Sequence, residues 1–171
     1  MTNTVKAIFI GLATLPAVGR WVELPCDDIR SEIAAIVEEY GSEYDCSEVI
    51  CADAEGMPYP GECPDWDALN EDAQRFAELD EEQQTIFDAL TDEGGISTDE
   101  ALDIIEGGDY ILWAGCSDMS DVAEEYAESC GLLDSIPENL RYYFDFEAFG
   151  RDMEIEGTFI YSDLGYIEVI R

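Results

Sequence analysis

The chain has 171 residues, of which 42 are Asp or Glu and 7 are Lys or Arg; it contains no His and carries a formal net charge of −35. Apolar residues make up 47% and aromatics 11%, which excludes disorder, because high charge unfolds a chain mainly when apolar content is low. Such a surface repels nucleic acid and anionic membranes, so the partners to expect are basic proteins or cations.

In chain order, residues 6–13 and 20–24 are β-prone. Ile29, Ile33, Ile36, Val37 and Tyr40 recur at helical spacing, with Gly41 as the expected C-cap, and residues 48–53 read as a further strand. The Pro and Gly of MPYPGECP, 57–64, then break the chain. These pieces predict an α/β unit over 1–60.

A helical unit over 61–108 follows. Trp66, Leu69, Ala73 and Phe76 share one helix face, and Ile86, Phe87 and Leu90 mark a second helix. Ser97 with Glu100 is a capping-box pattern opening a third helix over Leu102 and Ile105, which Gly107 and Gly108 end. The last unit, 109–171, opens with the strand YILW and continues with a helix near 118–130 that turns Val122 and Tyr126 inward. It passes through a mixed stretch at 136–147 and closes in a hairpin around Gly165. The expected class is α+β, three small units with short mixed sheets.

The apolar run at 6–19 predicts a buried first strand. A signal peptide would need a basic n-region and an A-x-A site that the run lacks, and a cytoplasmic protein is expected. Six cysteines at 26, 46, 51, 63, 116 and 130 form no dense framework and no CxxC pair, so they read as buried small apolars or free thiols.

Familiar chemistry is missing. Without His the usual general base and triad partner are unavailable. No nucleophile elbow, P-loop or dinucleotide fingerprint occurs. DEGGISTDEALD, 92–103, fails as a calcium loop, since Gly94 and Gly95 fall at positions 3 and 4, where the third needs an oxygen ligand, and Asp103 replaces the closing Glu. The expectation is a non-enzyme with no cofactor and no metal.

The acids recur at helical spacing instead. Asp118, Asp121, Glu125 and Glu128 would form one ridge, with others around Asp27, Asp28, Glu32, Glu38 and Glu39 and around Asp67, Glu71, Asp72 and Glu78. Helix residues three or four apart lie about 5–6 Å from each other, a spacing that can imitate phosphates. Two chains would carry about 70 charges, equivalent to on the order of 120 Å of duplex at one charge per roughly 1.7 Å. A solvated face, adaptation to high salt, or a decoy for other basic DNA-binding proteins would each use the same acids.

The segment YYFDFEAFGRDMEIEG, 142–157, resembles the Y-x-D-[YF]-E-A-[FY]-G-R-D core of the ArdA family of antirestriction proteins. It matches at Tyr143, Asp145, Phe146, Glu147, Ala148, Phe149, Gly150, Arg151 and Asp152. GRWVELP at 19–25 and DAEG at 53–56 are weaker matches, with Ala54 standing where the family usually has an aromatic. The resemblance implies an elongated, acidic homodimer joined through its last unit. It further implies mimicry of bent B-form DNA, with the DNA groove of Type I restriction and modification enzymes as target, in the service of mobile DNA entering a bacterial host. Within the motif, Arg151 is expected to neutralise Asp145 or Asp152, with Tyr143, Phe146 and Phe149 near the dimer contact.

Overall fold

The computed structural model describes residues 6–170. The chain divides into two compact units, one ending at Leu79 and the other beginning at Asp80. Each holds a three-stranded sheet with helices against it, an α+β arrangement.

The first unit contains β1 (Lys6–Leu12), β2 (Leu15–Leu24), α1 (Ile29–Ile36), α2 (Ser42–Tyr44), β3 (Val49–Glu55) and α3 (Trp66–Ala77). The apolar run near the N-terminus becomes β1, the central strand in the order β2-β1-β3, which explains why its residues are almost all buried. Ile8, Ile10, Val22, Leu24 and Cys51 point to one face of this sheet, where they pack with Ile29 and Ile36 of α1 and Trp66, Leu69 and Ala73 of α3. The expected three-and-four stepping of Trp66, Leu69 and Ala73 is therefore the face α3 buries.

Two features tie this unit together without any sequence signal. Buried Asn70 accepts from the Cys26 amide and donates to the Cys26 carbonyl, both at 2.9 Å, pinning the loop before α1 to α3. Lys6, also buried, donates to the Gly56 carbonyl at 2.8 Å and lies 3.7 Å from the Phe76 ring centroid. Both polar side chains are satisfied, as burial requires.

Gly41 does not cap the first helix. After α1 the backbone widens into a π-helical turn, Val37–Gly41, and runs on into α2; the left-handed residue that stops it is Asp45, at φ 50°. Gly is required at 41 for a different reason, since a Cβ there would collide with the Cys46 carbonyl oxygen. A close approach between backbones looks the same in sequence as a C-cap.

The second unit contains α4 (Glu81–Asp92), α5 (Thr98–Gly107), β4 (Tyr110–Ala114), α6 (Met119–Ser129), α7 (Glu138–Arg141), α8 (Phe146–Glu156), β5 (Phe159–Ser162) and β6 (Gly165–Val169). Ser97 accepts from the Glu100 amide and Gly108, in the left-handed region, ends α5. A complete capping box opens α4, with the Asp80 carboxylate on the Gln83 amide and the Gln83 side chain on the Asp80 amide. The sheet order is β4-β6-β5, and β5 and β6 form the expected hairpin. All pairings in both sheets are antiparallel, so the sheets are not mixed.

On one face of this sheet Trp113, Phe159 and Tyr166 pack with Met119, Val122 and Met153 of α6 and α8. On the other, Ile160 sits against Gly94 at the end of α4. Tyr126 departs from its expected inward position. It is 38% exposed and lies across the rim of this core, its ring 6.2 Å from Trp113 and 6.1 Å from Phe149.

All six cysteines are free. Cys63 and Cys130 are exposed, whereas Cys46, Cys51 and Cys116 are buried. Burial, followed by the charges of Glu125 and Asp121, pushes the Cys116 thiol up to about 11, and the thiolate is the reacting form. At pH 8 a thiol reagent is expected to label Cys63 and Cys130 in the native protein and Cys116 only after unfolding. Mass mapping of a time course checks this, and labelling of Cys116 as fast as Cys63 would refute it.

Candidate functional site

The acids fall into two groups according to what they touch. In the first unit, several already have cations. Arg20 pairs with Glu32 at 2.6 Å and with Glu39 at 3.7 Å. Arg30 reaches Asp67 through its Nε and Nη atoms, at 2.8 Å for the shortest contact, linking α1 to α3. Arg75 pairs with Asp72 at 3.4 Å. Asp28 is the N-cap of α1: its carboxylate accepts from the amides of Arg30 and Ser31 and from the Ser31 hydroxyl. That hydroxyl, more than any other contact, holds Asp28 below the usual carboxylate range, as the Arg30 guanidinium does for Asp67. Asp27, Glu38, Glu71 and Glu78 remain exposed on the same unit.

The ridge of the second unit is different. Asp118 is the N-cap of α6, accepting from the amides of Ser120 and Asp121. Asp121 accepts from the Ser117 amide at 2.8 Å and the Ser117 hydroxyl at 2.7 Å, and these bonds lower its pKa. Asp118, Glu125 and Glu128 are exposed, as is Glu124, which the spacing argument passed over although it adjoins Glu125. Among the described residues no lysine or arginine pairs with these α6 acids. The exposed Asp118, Glu124, Glu125 and Glu128 are thus left without a cation among the described residues, neighbours three or four apart lying about 5–6 Å from each other along the helix.

The aromatic motif turns out to be the start of a helix. Asp145 is the N-cap of α8 and accepts from the Ala148 amide at 2.9 Å. Gly150 is buried where α8 crosses α6, and a Cβ on it would collide with the Met119 carbonyl oxygen and crowd the Ser120 amide. Phe144, Phe146 and Phe149 form an aromatic cluster with centroids 4.9 and 5.6 Å apart, continued by Tyr126. Glu147, Arg151 and Asp152 lie exposed on the helix.

The expected neutralisation of Asp145 or Asp152 by Arg151 does not occur. The carboxylate of Asp145 is taken up by the helix N-terminus, and among the described residues Arg151 forms no ion pair. Beside the cluster, Leu140, Tyr142 and Tyr143 are exposed by 50%, 88% and 78%, the two Tyr rings meeting edge to face at 5.7 Å. Burial of such side chains against a partner is the ordinary reason for an exposed apolar patch. Among the described residues no group of His, Cys, Asp and Glu is placed to hold a metal ion, and no helix is long and apolar enough to cross a membrane.

A family model described as antirestriction protein (ArdA) matches residues 16–168, nearly the whole chain. No curated protein matches the chain.

Proposed function

Because the chain belongs to the ArdA family of antirestriction proteins, we propose that it works as a DNA decoy, occupying the DNA-binding groove of a Type I restriction and modification enzyme. The observation that carries this reading is α6, whose exposed carboxylates no arginine or lysine of the described residues neutralises. Pairing a basic groove with these carboxylates would release the counterions each side had held, as protein–DNA pairing releases those condensed on the duplex, so binding should weaken steeply with salt. Glu38, Glu71 and Glu78 extend the imitation on the first unit, while Arg20, Arg30 and Arg75 lower its charge locally.

The decoy acts in the cytoplasm of a bacterial host as a homodimer, shielding incoming mobile DNA, and needs no cofactor. Leu140, Tyr142 and Tyr143 are the surface that a second copy would cover, with the exposed Arg151 as a ready counter-charge for its acids. Tyr142→Ser with Tyr143→Ser is expected to shift the protein from dimer to monomer in sedimentation at micromolar concentration, with a melting temperature that no longer rises with protein concentration as the parent's does. An unchanged dimer would place the contact elsewhere.

The test of the function itself is cleavage of unmodified DNA by a Type I restriction enzyme with increasing protein, at low and moderate salt. Inhibition that saturates near stoichiometric protein and fades with salt is the expected result. Full cleavage at every concentration and salt would reject the decoy for this enzyme class.

A further inference from the structure

The outward face of the first sheet combines aromatic rings with charge, unlike the ridges. Directly paired residues of antiparallel strands point to the same face. Phe9 pairs with Trp21 on one side and Asp53 on the other, and Ala7 with Glu23 and Glu55. Two rings and three carboxylates thus share one face, Trp21 and Glu23 on β2 and Asp53 and Glu55 on β3, about two strand spacings, roughly 10 Å, apart across β1. The helices α1 and α3 pack on the opposite face. Glu23, Asp53 and Glu55 are exposed. Trp21 is 46% exposed, against 9% for Trp66 and 8% for Trp113, and meets Phe9 edge to face at 5.6 Å and 74°.

We infer that this face is a subsite for an arginine side chain of the basic protein the chain binds, with the guanidinium stacked on Trp21 and hydrogen-bonded by Glu23 two residues along the same strand, while Asp53 and Glu55, across β1, add their negative charge. The identity of that protein rests on the decoy reading; the chemistry of the subsite does not. An apolar occupant would strip water from three carboxylates and return no charge. A lysine would satisfy the carboxylates, but its compact, strongly hydrated ammonium gains less from the ring. The guanidinium is planar, weakly hydrated and forked, so it can stack on indole and bond carboxylates at once. Proteins that bind single-stranded nucleic acid also stack arginine on bases, and a ring set among negative charges offers them the same pair of contacts.

Two arms test this. In the first, 5-fluorotryptophan is incorporated into the wild-type chain, the Trp21 resonance is assigned by its loss in Trp21→Phe, and hexa-arginine or hexa-lysine is titrated in. The Trp21 signal should shift and saturate with hexa-arginine at a concentration several-fold lower than with hexa-lysine, while Trp66 and Trp113 stay in place. Replacing Glu23→Gln, Asp53→Asn and Glu55→Gln together should weaken the hexa-arginine response about tenfold. A Trp21 signal that does not move, or that moves equally with both peptides, overturns the subsite.

In the second arm, binding to a Type I restriction enzyme is compared for wild type, Trp21→Ala and Trp21→Phe. A loss of about five- to thirtyfold is expected for Trp21→Ala, a much smaller one for Trp21→Phe, and the same salt slope for all three. Wild-type affinity in Trp21→Ala overturns the subsite and leaves the decoy standing. A wild-type chain that does not bind the enzyme overturns the decoy, and the peptide arm then still decides the subsite.

Discussion

Gly150→Ala is expected to destabilise the protein by about 2 kcal/mol, although Ala is the better helix former by roughly 1 kcal/mol. The sign follows from what the new methyl group meets. At Gly150 it would strike the Met119 carbonyl and crowd the Ser120 amide, backbone atoms of α6 that cannot rotate away, so α6 and α8 must separate. That separation would open the core of Trp113, Met119, Val122 and Met153. Gly157→Ala is the control, because its nearest atom belongs to the Phe159 ring, a side chain that can turn. Urea unfolding of both variants decides the matter. A Gly150→Ala protein as stable as the parent would mean that the two helices are not in contact at this point.

Neutralising the α6 ridge with Glu124→Gln, Glu125→Gln and Glu128→Gln is expected to weaken binding to a Type I enzyme on the order of ten- to a hundredfold at low salt. The slope of log affinity against log salt should flatten by about two to three per protomer, close to 0.9 for each charge that had released a counterion. Stability should hold, since these side chains are exposed. The informative comparison is Glu32→Gln with Glu39→Gln and Asp67→Asn. These acids already face Arg20 and Arg30, so the same formal change should flatten the slope less. Equal losses from both sets would show that only net charge matters and that the ridge has no special standing.

The acidic residues also set an expected dependence on pH. Asp28, Asp67 and Asp121 have folded-state pKa values below 3.8, through Ser31, Arg30 and Ser117 respectively. Their contribution to stability is present above that value and is lost as pH falls through their folded-state values. The melting temperature should therefore fall as pH is lowered below about 3.8.

Much of this could be read along the chain because the signals are local. The strand at the N-terminus, the α3 face of Trp66, Leu69 and Ala73, the Ser97 cap and the final hairpin each rest on residues within a few positions of one another. The family could be read from the 143–152 motif for the same reason. The local readings failed where one residue type serves two purposes. Gly41 was expected as a cap and is a close approach, and Tyr126 was expected inside and lies at the rim.

By itself, then, the sequence determined most of the elements, the family and the scale of the negative charge, since periodicity, caps and composition need no knowledge of distant neighbours; α8, which begins inside the aromatic motif, was not among the elements it predicted. The tertiary structure alone decided which carboxylates keep their charge free. Arg30 and Asp67 stand 37 positions apart and still meet, while α6 has no cation beside it among the described residues. It also decided that Gly150 is a crossing point of helices and that Trp21 shares a face with Glu23, Asp53 and Glu55. The physical reason is range. Ion pairs, close approaches and shared faces depend on distances of a few ångströms in space, and separation along the chain does not encode them.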